Sequence, residues 1–356
     1  MKVSIIGTVG LPAKYGGFET LVNHLTINLA DQFEITVYCS GKAYTNQVKT
    51  YNGAKLKYIN LNANGVQSVL YDIISIFKSL KNSDVLLVLG VSGCIVLPFI
   101  KLISKNKVIV NIDGLEWKRV KWGGFAKKFL KFSEKIAVKN ADIIVADNKV
   151  IQDYVFSEYN IKTQLIAYGG DHVQKEKISD KLISSYPFLN EKYCFKVCRI
   201  EPENNVKMIL DAFSTLPNRI IVMIGNWNNS EYGQILKKTY SDFNNIFLMD
   251  PIYNQQTLNQ IRSNCHIYVH GHSAGGTNPS IVEAMSLELP IFSFGVNYNK
   301  ESTQYAAKYF NNKLELKNLL TTINDIELIE IGKAMKKNAS KLYNWSDISK
   351  KYSELF

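Results

Sequence analysis

Residues 270–290 read HGHSAGGTNPSIVEAMSLELP. An apolar strand stops at His270, a loop of small residues follows, and Pro279 stands where a first helical residue belongs, because the N–H it lacks has no partner there anyway. The helix it opens runs to Leu287, and Pro290–Phe294 starts the next strand. Strand, loop, helix and strand in this order form the repeating unit of a parallel α/β sheet. Backbone N–H groups of Gly276, Thr277 and Asn278, together with the helix dipole, suit a diphosphate. Glu283 lies one turn inside, on the face of Pro279, where a carboxylate can accept two hydrogen bonds from the vicinal hydroxyls of a ribose.

The same alternation extends outward in both directions. Tyr193–Cys198, Arg219–Ile224, Asn245–Met249 and His266–His270 read as strands, with helices at Val206–Phe213 and Thr257–Ser263. Earlier, Lys2–Ile6, Glu34–Cys39, Lys55–Asn60, Val85–Leu89, Lys107–Ile112 and Ala141–Ala146 read as strands, with helices at Phe18–Leu29 and Val69–Leu80. Strands that are apolar throughout and separated by helices predict parallel sheets covered on both faces. A chain of 356 residues exceeds one hydrophobic core. The expected fold class is α/β, with two doubly wound Rossmann-like domains, residues 1–170 and 171–340, the polar stretch 174–187 as linker and the active site in a cleft between them.

Three further segments carry chemistry. In CRIEPENNVKMILDAF (198–213) a strand end delivers Arg199, whose guanidinium fork fits a diphosphate and the charge that develops on a leaving group. Glu203 and Asn204 also read as ordinary helix-start residues, and Lys207 either reaches the same anion or is a solvated lysine. IIGTVGLPAKYGGFETLVNHL (5–25) lacks G-x-G-x-x-G. Its Gly16 and Gly17 open a helix at a strand's carboxyl side, where glycine permits close approach to phosphate or sugar, although a plain turn accounts for Gly10 and Pro12. In NIDGLEWKRVKW (111–122), Asp113, Glu116 and Trp117 follow a strand. Carboxylates there can orient an acceptor hydroxyl or take its proton, or they can cap the next helix.

These segments, in this order, resemble the retaining glycosyltransferases of family 4, which have the GT-B fold. Glu283 matches the second glutamate of that family's donor-site pair, whereas Gly275 stands where the first one contacts the donor sugar, and Asn204 stands where a lysine is usual. The forms G-G-T-N-P-S-x-x-E-A-M and Y-G-G-F-E resemble a rhamnosyltransferase-like subgroup. The resemblance implies transfer of L-rhamnose from dTDP-rhamnose to a polyprenyl-diphosphate-linked saccharide, in bacterial surface polysaccharide synthesis. It implies catalytic roles for Asp113, Glu116 and Arg199. Donor contacts fall to Gly16, Gly17, Arg199, Lys207, Gly275, Gly276, Thr277, Asn278 and Glu283, and acceptor contacts to Tyr15, Asp113, Glu116 and Trp117. It implies too that residues 341–356 form a closing helix that returns to the first domain. Neither a metal nor a cofactor is expected, since Arg199 and the helix terminus neutralise the leaving group. A nucleotide-sugar epimerase on the same fold and a noncatalytic binding subunit are the alternatives.

Composition narrows the setting. Five scattered cysteines without a C-x-x-C pair argue against a disulfide framework and a zinc site. The most apolar window, 85–103, is broken by Gly90, Gly93, Pro98 and Lys101 and reads as strand, turn and helix rather than as a membrane span. Residues 1–170 hold 21 Lys and Arg against 12 Asp and Glu. Within them, 118–139 place Trp122, Phe125, Phe129, Phe132 and Ile136 at helical spacing among Lys121, Lys127, Lys128, Lys131 and Lys135. Such a helix is either core-facing with solvated lysines or adsorbed to an anionic membrane. No nucleic-acid module accompanies the charge. The expected location is cytoplasmic, peripheral at the inner face of the cell membrane.

Overall fold

The computed structural model describes residues 1–14, 16–119 and 122–356. The chain divides into two compact units, Met1–Tyr168 with Trp345–Phe356, and Gly169–Asn344.

The first unit is built on β1 (Lys2–Ile6), β2 (Glu34–Ser40), β3 (Thr50–Tyr51), β4 (Ala54–Ile59), β5 (Val85–Leu89), β6 (Lys107–Asn111), β7 (Ile143–Ala146) and β8 (Gln164–Leu165), in the sheet order β3-β4-β2-β1-β5-β6-β7-β8. All neighbours are parallel except β3 and β4, a hairpin too short to show in the hydropathy pattern. Val85–Leu89 is buried at every position because helices cover both faces of the sheet. The order reverses between β1 and β5, which is where the carboxyl ends of a doubly wound sheet open a crevice. Backbones approach closely there. Gly7, just beyond β1, has φ +91°, and a Cβ on it would lie 2.0 Å from the Leu89 carbonyl oxygen.

The last helix, Trp345–Leu355, belongs to this unit. Trp345 stacks on His24 with ring centroids 4.3 Å apart, and the Tyr352 hydroxyl accepts a hydrogen bond from Asn111 Nδ2 at 2.8 Å. Asn111 Oδ1 in turn accepts the Asp113 N–H at 3.0 Å, so the closing helix braces the loop that follows β6.

The second unit is built on β9 (Tyr193–Val197), β10 (Ile220–Ile224), β11 (Ile246–Met249), β12 (Ile267–His270), β13 (Ile291–Phe294) and β14 (Lys308–Phe310), all parallel, in the order β11-β10-β9-β12-β13-β14. Its switch point lies between β9 and β12. Both units are Rossmann-like α/β folds. The stretch 174–187, read as linker from its polarity, contains the helix Asp180–Ser185 and is strapped to the second unit. The Glu176 and Ser179 amides donate to Ser263 and Gln260 of one helix, and the Glu176 carbonyl accepts from Asn264.

Gly7→Ala should destabilise the first unit by more than about 2 kcal/mol, since the strain falls on β5 backbone that cannot move aside. Gly65→Ala, where nothing stands within 4 Å and only the backbone angle is unfavourable, should lose about 1 kcal/mol. Urea unfolding of both variants checks the ranking.

Candidate donor and acceptor sites

In the second unit the loops after β9 and β12 are hydrogen-bonded to each other. The Ser273 N–H and hydroxyl both donate to the Glu203 carbonyl, at 2.8 and 2.9 Å, and Asn205 Nδ2 donates to the Gly271 carbonyl at 2.8 Å. Gly271 fits because a Cβ would lie 2.3 Å from the Asn204 carbonyl oxygen. Asn204, where the family pattern carries a lysine, is buried and donates to the Arg199 carbonyl at 2.6 Å, shaping the turn that presents Arg199. The Arg199 side chain is 47% exposed and its nearest carboxylate, Glu201, stands 3.9 Å away. A loose contact of this kind leaves the guanidinium available to an anion.

Asn278 caps the helix Pro279–Ser286, accepting from the Ser280 N–H at 3.0 Å, and its carbonyl takes the N–H groups of Ile281 and Val282. With Pro279 having no N–H, the N–H groups of Ser280, Ile281 and Val282 are all taken up by Asn278 within the first turn. Gly275 has φ +121° and nothing within 4 Å of a Cβ built on it. A glutamate in this position has space but not the backbone angle, so the missing carboxylate is not restored by one substitution.

Glu283 is fixed by two residues that sequence patterns did not single out. Arg262, 1% exposed, pairs through Nη1 with Glu283 Oε2, and its Nη2 donates to Asn259 Oδ1 at 2.7 Å. His172 Nε2 lies 3.1 Å from Glu283 Oε1. Burial alone would raise the Glu283 carboxyl, but the Arg262 guanidinium and His172 outweigh it and hold the group down at about 2. The carboxylate is therefore ionised and aimed, with lone pairs left for hydroxyl donors. The segment ahead of His172 is tight against the same helix, since a Cβ on Gly170 would lie 2.4 Å from the Val282 carbonyl oxygen. Arg262 carried one legible signal: the chain has four arginines among its 42 basic residues, so an arginine marks a place that needs a planar fork. Lys207 does not join this set. It forms an exposed pair with Asp211 at 2.7 Å, one helical turn along.

In the first unit Gly16 has φ +147°, and a Cβ on it would fall 1.8 Å from Glu19 Oε2. Glu19 Oε1 accepts the Val9 N–H at 2.7 Å and the Thr8 hydroxyl at 3.1 Å, tying the loop after β1 to the helix Gly17–Leu29. This carboxylate therefore stands at the start of the helix that Gly16 and Gly17 open, the side where the sequence suggested an approach to phosphate or sugar. Tyr15 lies outside the described residues.

Asp113, Glu116 and Trp117 share the loop after β6. Asp113 has φ +59°, a left-handed backbone rare for a non-glycine residue and common at functional sites. Glu116 is committed to Arg119 Nε at 2.7 Å and Trp122 Nε1 at 3.0 Å, and it caps no helix. Trp117 Nε1 donates to Glu134 at 3.0 Å, and its ring lies 4.7 Å from the Lys131 ammonium. Trp117 therefore presents an aromatic face but no free N–H. Among the described residues no group of three or more His, Cys, Asp or Glu is placed to hold a metal ion.

Residues 1–171 match the family model described as domain of unknown function DUF1972, and residues 179–341 match glycosyl transferases group 1. No curated relative matches the chain. Among solved structures, the sucrose-phosphate synthase of Thermosynechococcus elongatus superposes with TM-score 0.84 at 13% identity, covering 99% of this chain and 98% of its own. HepE of Anabaena, in complex with UDP, gives 0.77 at 15% identity and covers 99% of each chain. A glycosyltransferase from Rickettsia africae gives 0.71 at 13% identity, with 99% and 97% covered.

Glu283→Ala should destabilise the protein by about 3–5 kcal/mol, because it leaves the Arg262 charge buried and unpaired. Since the folded carboxyl is depressed from 4.5 to about 2, its contribution is whole above pH 4.5 and fades as the pH falls toward 2. Acid unfolding followed with and without Glu283→Gln measures that term, which the glutamine variant should lack. Together, the two parallel sheets and the solved neighbours show an α/β fold of two Rossmann-like units, and residues 179–341 of the second match the glycosyl transferases group 1 model.

Proposed function

We propose that the chain is a retaining rhamnosyltransferase that moves L-rhamnose from dTDP-rhamnose to a polyprenyl-diphosphate-linked saccharide at an anionic membrane surface. The observation that carries the transferase reading is the joined pair of loops after β9 and β12, which holds exposed Arg199 beside small-residue amides and fixes the ionised Glu283 one helical turn further on. Glu283 binds the ribose, while Arg199 and the Gly275–Asn278 amides bind the diphosphate. The bond from the sugar's anomeric carbon to the diphosphate breaks, and charge that accumulates on the leaving oxygen is met by Arg199. The acceptor hydroxyl bonds to the same face of that carbon and gives its proton to Asp113, whose backbone is held off the ordinary regions by Asn111 and Tyr352. Glu116 and Trp117 shape the acceptor loop rather than titrate. The rhamnose assignment rests on the glycine-rich form of the donor loop, with Gly275 in place of a sugar-binding glutamate. UDP-sugars are the second reading, favoured by the UDP and UDP-glucose complexes of the Anabaena protein.

The membrane part is supported by the lysine-rich helix Gly124–Asn140. Its buried face is Leu130, Ser133, Glu134, Ala137 and Val138, not the aromatic stripe, which leaves Phe125 87% and Phe132 52% exposed beside exposed Lys128 and Lys135. Lys121 lies outside the described residues. The helix Leu97–Ile103, packed against it, adds exposed Phe99, Leu102 and Ile103. Apolar groups that enter the interface beside lysines that meet lipid phosphate form a peripheral anchor. No helix among the described residues is long and apolar enough to cross a membrane.

A thermal-shift panel of nucleotides and nucleotide sugars should give its largest shift with dTDP-rhamnose, and a preference for UDP-sugars would move the assignment to the second reading. With donor and lipid-linked acceptor present, Arg199→Ala should lower kcat/KM by roughly 100-fold or more without changing Tm. Isomerised sugar from donor alone would mean an epimerase, and unchanged product formation in Arg199→Ala would remove the donor site. Phe125→Ala with Phe132→Ala should reduce sedimentation with phosphatidylglycerol vesicles by about tenfold or more, each phenyl group contributing on the order of 1 kcal/mol. Binding to neutral phosphatidylcholine vesicles should be weak throughout.

A further inference from the structure

Lys196 sits one residue from the end of β9, and His270 ends β12, on the two strands that flank the switch point of the second sheet. Both side chains are fully buried, and neither Lys196 Nζ nor either ring nitrogen of His270 has a hydrogen-bond partner. Lysine is rarely buried at all without a carboxylate beside it. The titratable groups beside its amine are the Cys198 thiol and the His270 ring, neither of which is a carboxylate. Burial holds the Lys196 ammonium below the ordinary lysine range, with Cys198 opposing, and burial followed by the nearby Lys196 holds His270 well below the ordinary histidine range.

The location gives this unsatisfied cation a use. A Cβ built on Gly271 would stand 3.1 Å from Lys196 Nζ, so the ammonium lies directly under the first residue of the donor loop, beside the turn that carries Arg199. Arg199 and the loop amides approach a diphosphate from the exposed side, and Lys196 lies beneath the same loop.

We propose that Lys196 Nζ and the His270 ring form a buried basic pocket at this switch point that receives an anionic oxygen of the donor's diphosphate, making Lys196 the residue that selects nucleoside diphosphates over nucleosides. The pocket rests on the donor reading above. An arriving phosphate oxygen supplies the acceptor that the ammonium lacks, and the His270 N–H adds a neutral donor. Without ligand the buried, unpaired amine is a liability to the fold, and with ligand it becomes a charge-assisted hydrogen bond in a setting of low dielectric.

Calorimetric titration of wild type and Lys196→Met with UDP, dTDP, the matching nucleosides and inorganic pyrophosphate tests the pocket, alongside thermal unfolding without ligand. Methionine keeps the length of the side chain in an apolar cluster, so the ligand-free Tm should stay equal or rise. Nucleoside diphosphate affinity should fall at least tenfold, with nucleoside affinity unchanged. Lys196→Gln, which keeps polarity but no charge, should show the same split and serves if methionine disturbs packing. Equal diphosphate affinity in wild type and variants overturns the pocket while leaving the donor site in place. Pyrophosphate binding that is lost in the variants, in a wild type that binds no nucleoside diphosphate, retains the pocket and overturns the donor reading. Absence of binding by every phosphate ligand overturns both.

Discussion

A carboxylate can serve as a ribose anchor inside a protein only if something keeps it ionised without using up its lone pairs. In the second unit that requirement is met by Arg262, which is itself so buried that it depends on Glu283 as much as Glu283 depends on it. The pair fixes the helix Gln255–Ser263 against the helix Pro279–Ser286, and His172 adds the segment that enters the unit to the same carboxylate. Three stretches distant in sequence thus share one charge. The loop Gly271–Asn278 inherits its position from that arrangement, because it runs from β12 into the helix on which Glu283 stands.

The alternation of apolar strands and helices was legible because each parallel strand is buried on both faces and so appears as an unbroken apolar run, as in Val85–Leu89 and Ile220–Ile224. Of the three strands that were not read, Lys308–Phe310 among them, two escaped for the opposite reason. The strands Thr50–Tyr51 and Gln164–Leu165 are edge strands of two residues, largely exposed, with no hydropathy to read. The stretch 174–187 looked like a linker because its side chains are polar, yet its backbone is tied down by hydrogen bonds of the Glu176 and Ser179 amides and the Glu176 carbonyl to the helix Gln255–Ser263 and Asn264.

The site was legible where chemistry follows backbone punctuation and illegible where it depends on partners. Pro279 and the glycines ahead of it announce a helix start, and Glu283 follows by helical spacing. Nothing in the spacing of Arg262, His172 or Lys196 connects them to that loop, since they arrive from a helix, a turn and a strand far apart in sequence. The lysine-rich helix shows the limit of periodicity in another way. Phe125 and Phe132 recur at helical spacing as a core stripe would, but the helix buries the parallel stripe of Leu130, Ala137 and Val138, and only packing decides between two stripes on one cylinder.

The two units solve one geometric problem with opposite charges. In the first, Gly16 lacks a Cβ so that the Glu19 carboxylate can enter the loop after β1, where Thr8 and Val9 satisfy it from within. In the second, Gly271 lacks a Cβ so that the loop after β12 can lie against the Asn204 carbonyl, and the Lys196 amine sits beneath that loop with no hydrogen-bond partner. A self-satisfied anion repels phosphate and leaves a surface for neutral hydroxyls, whereas an unsatisfied cation gains most from an anion that comes from outside. The two loops thus differ in hydrogen-bond satisfaction, and that difference is what the proposed division of acceptor and diphosphate contacts rests on.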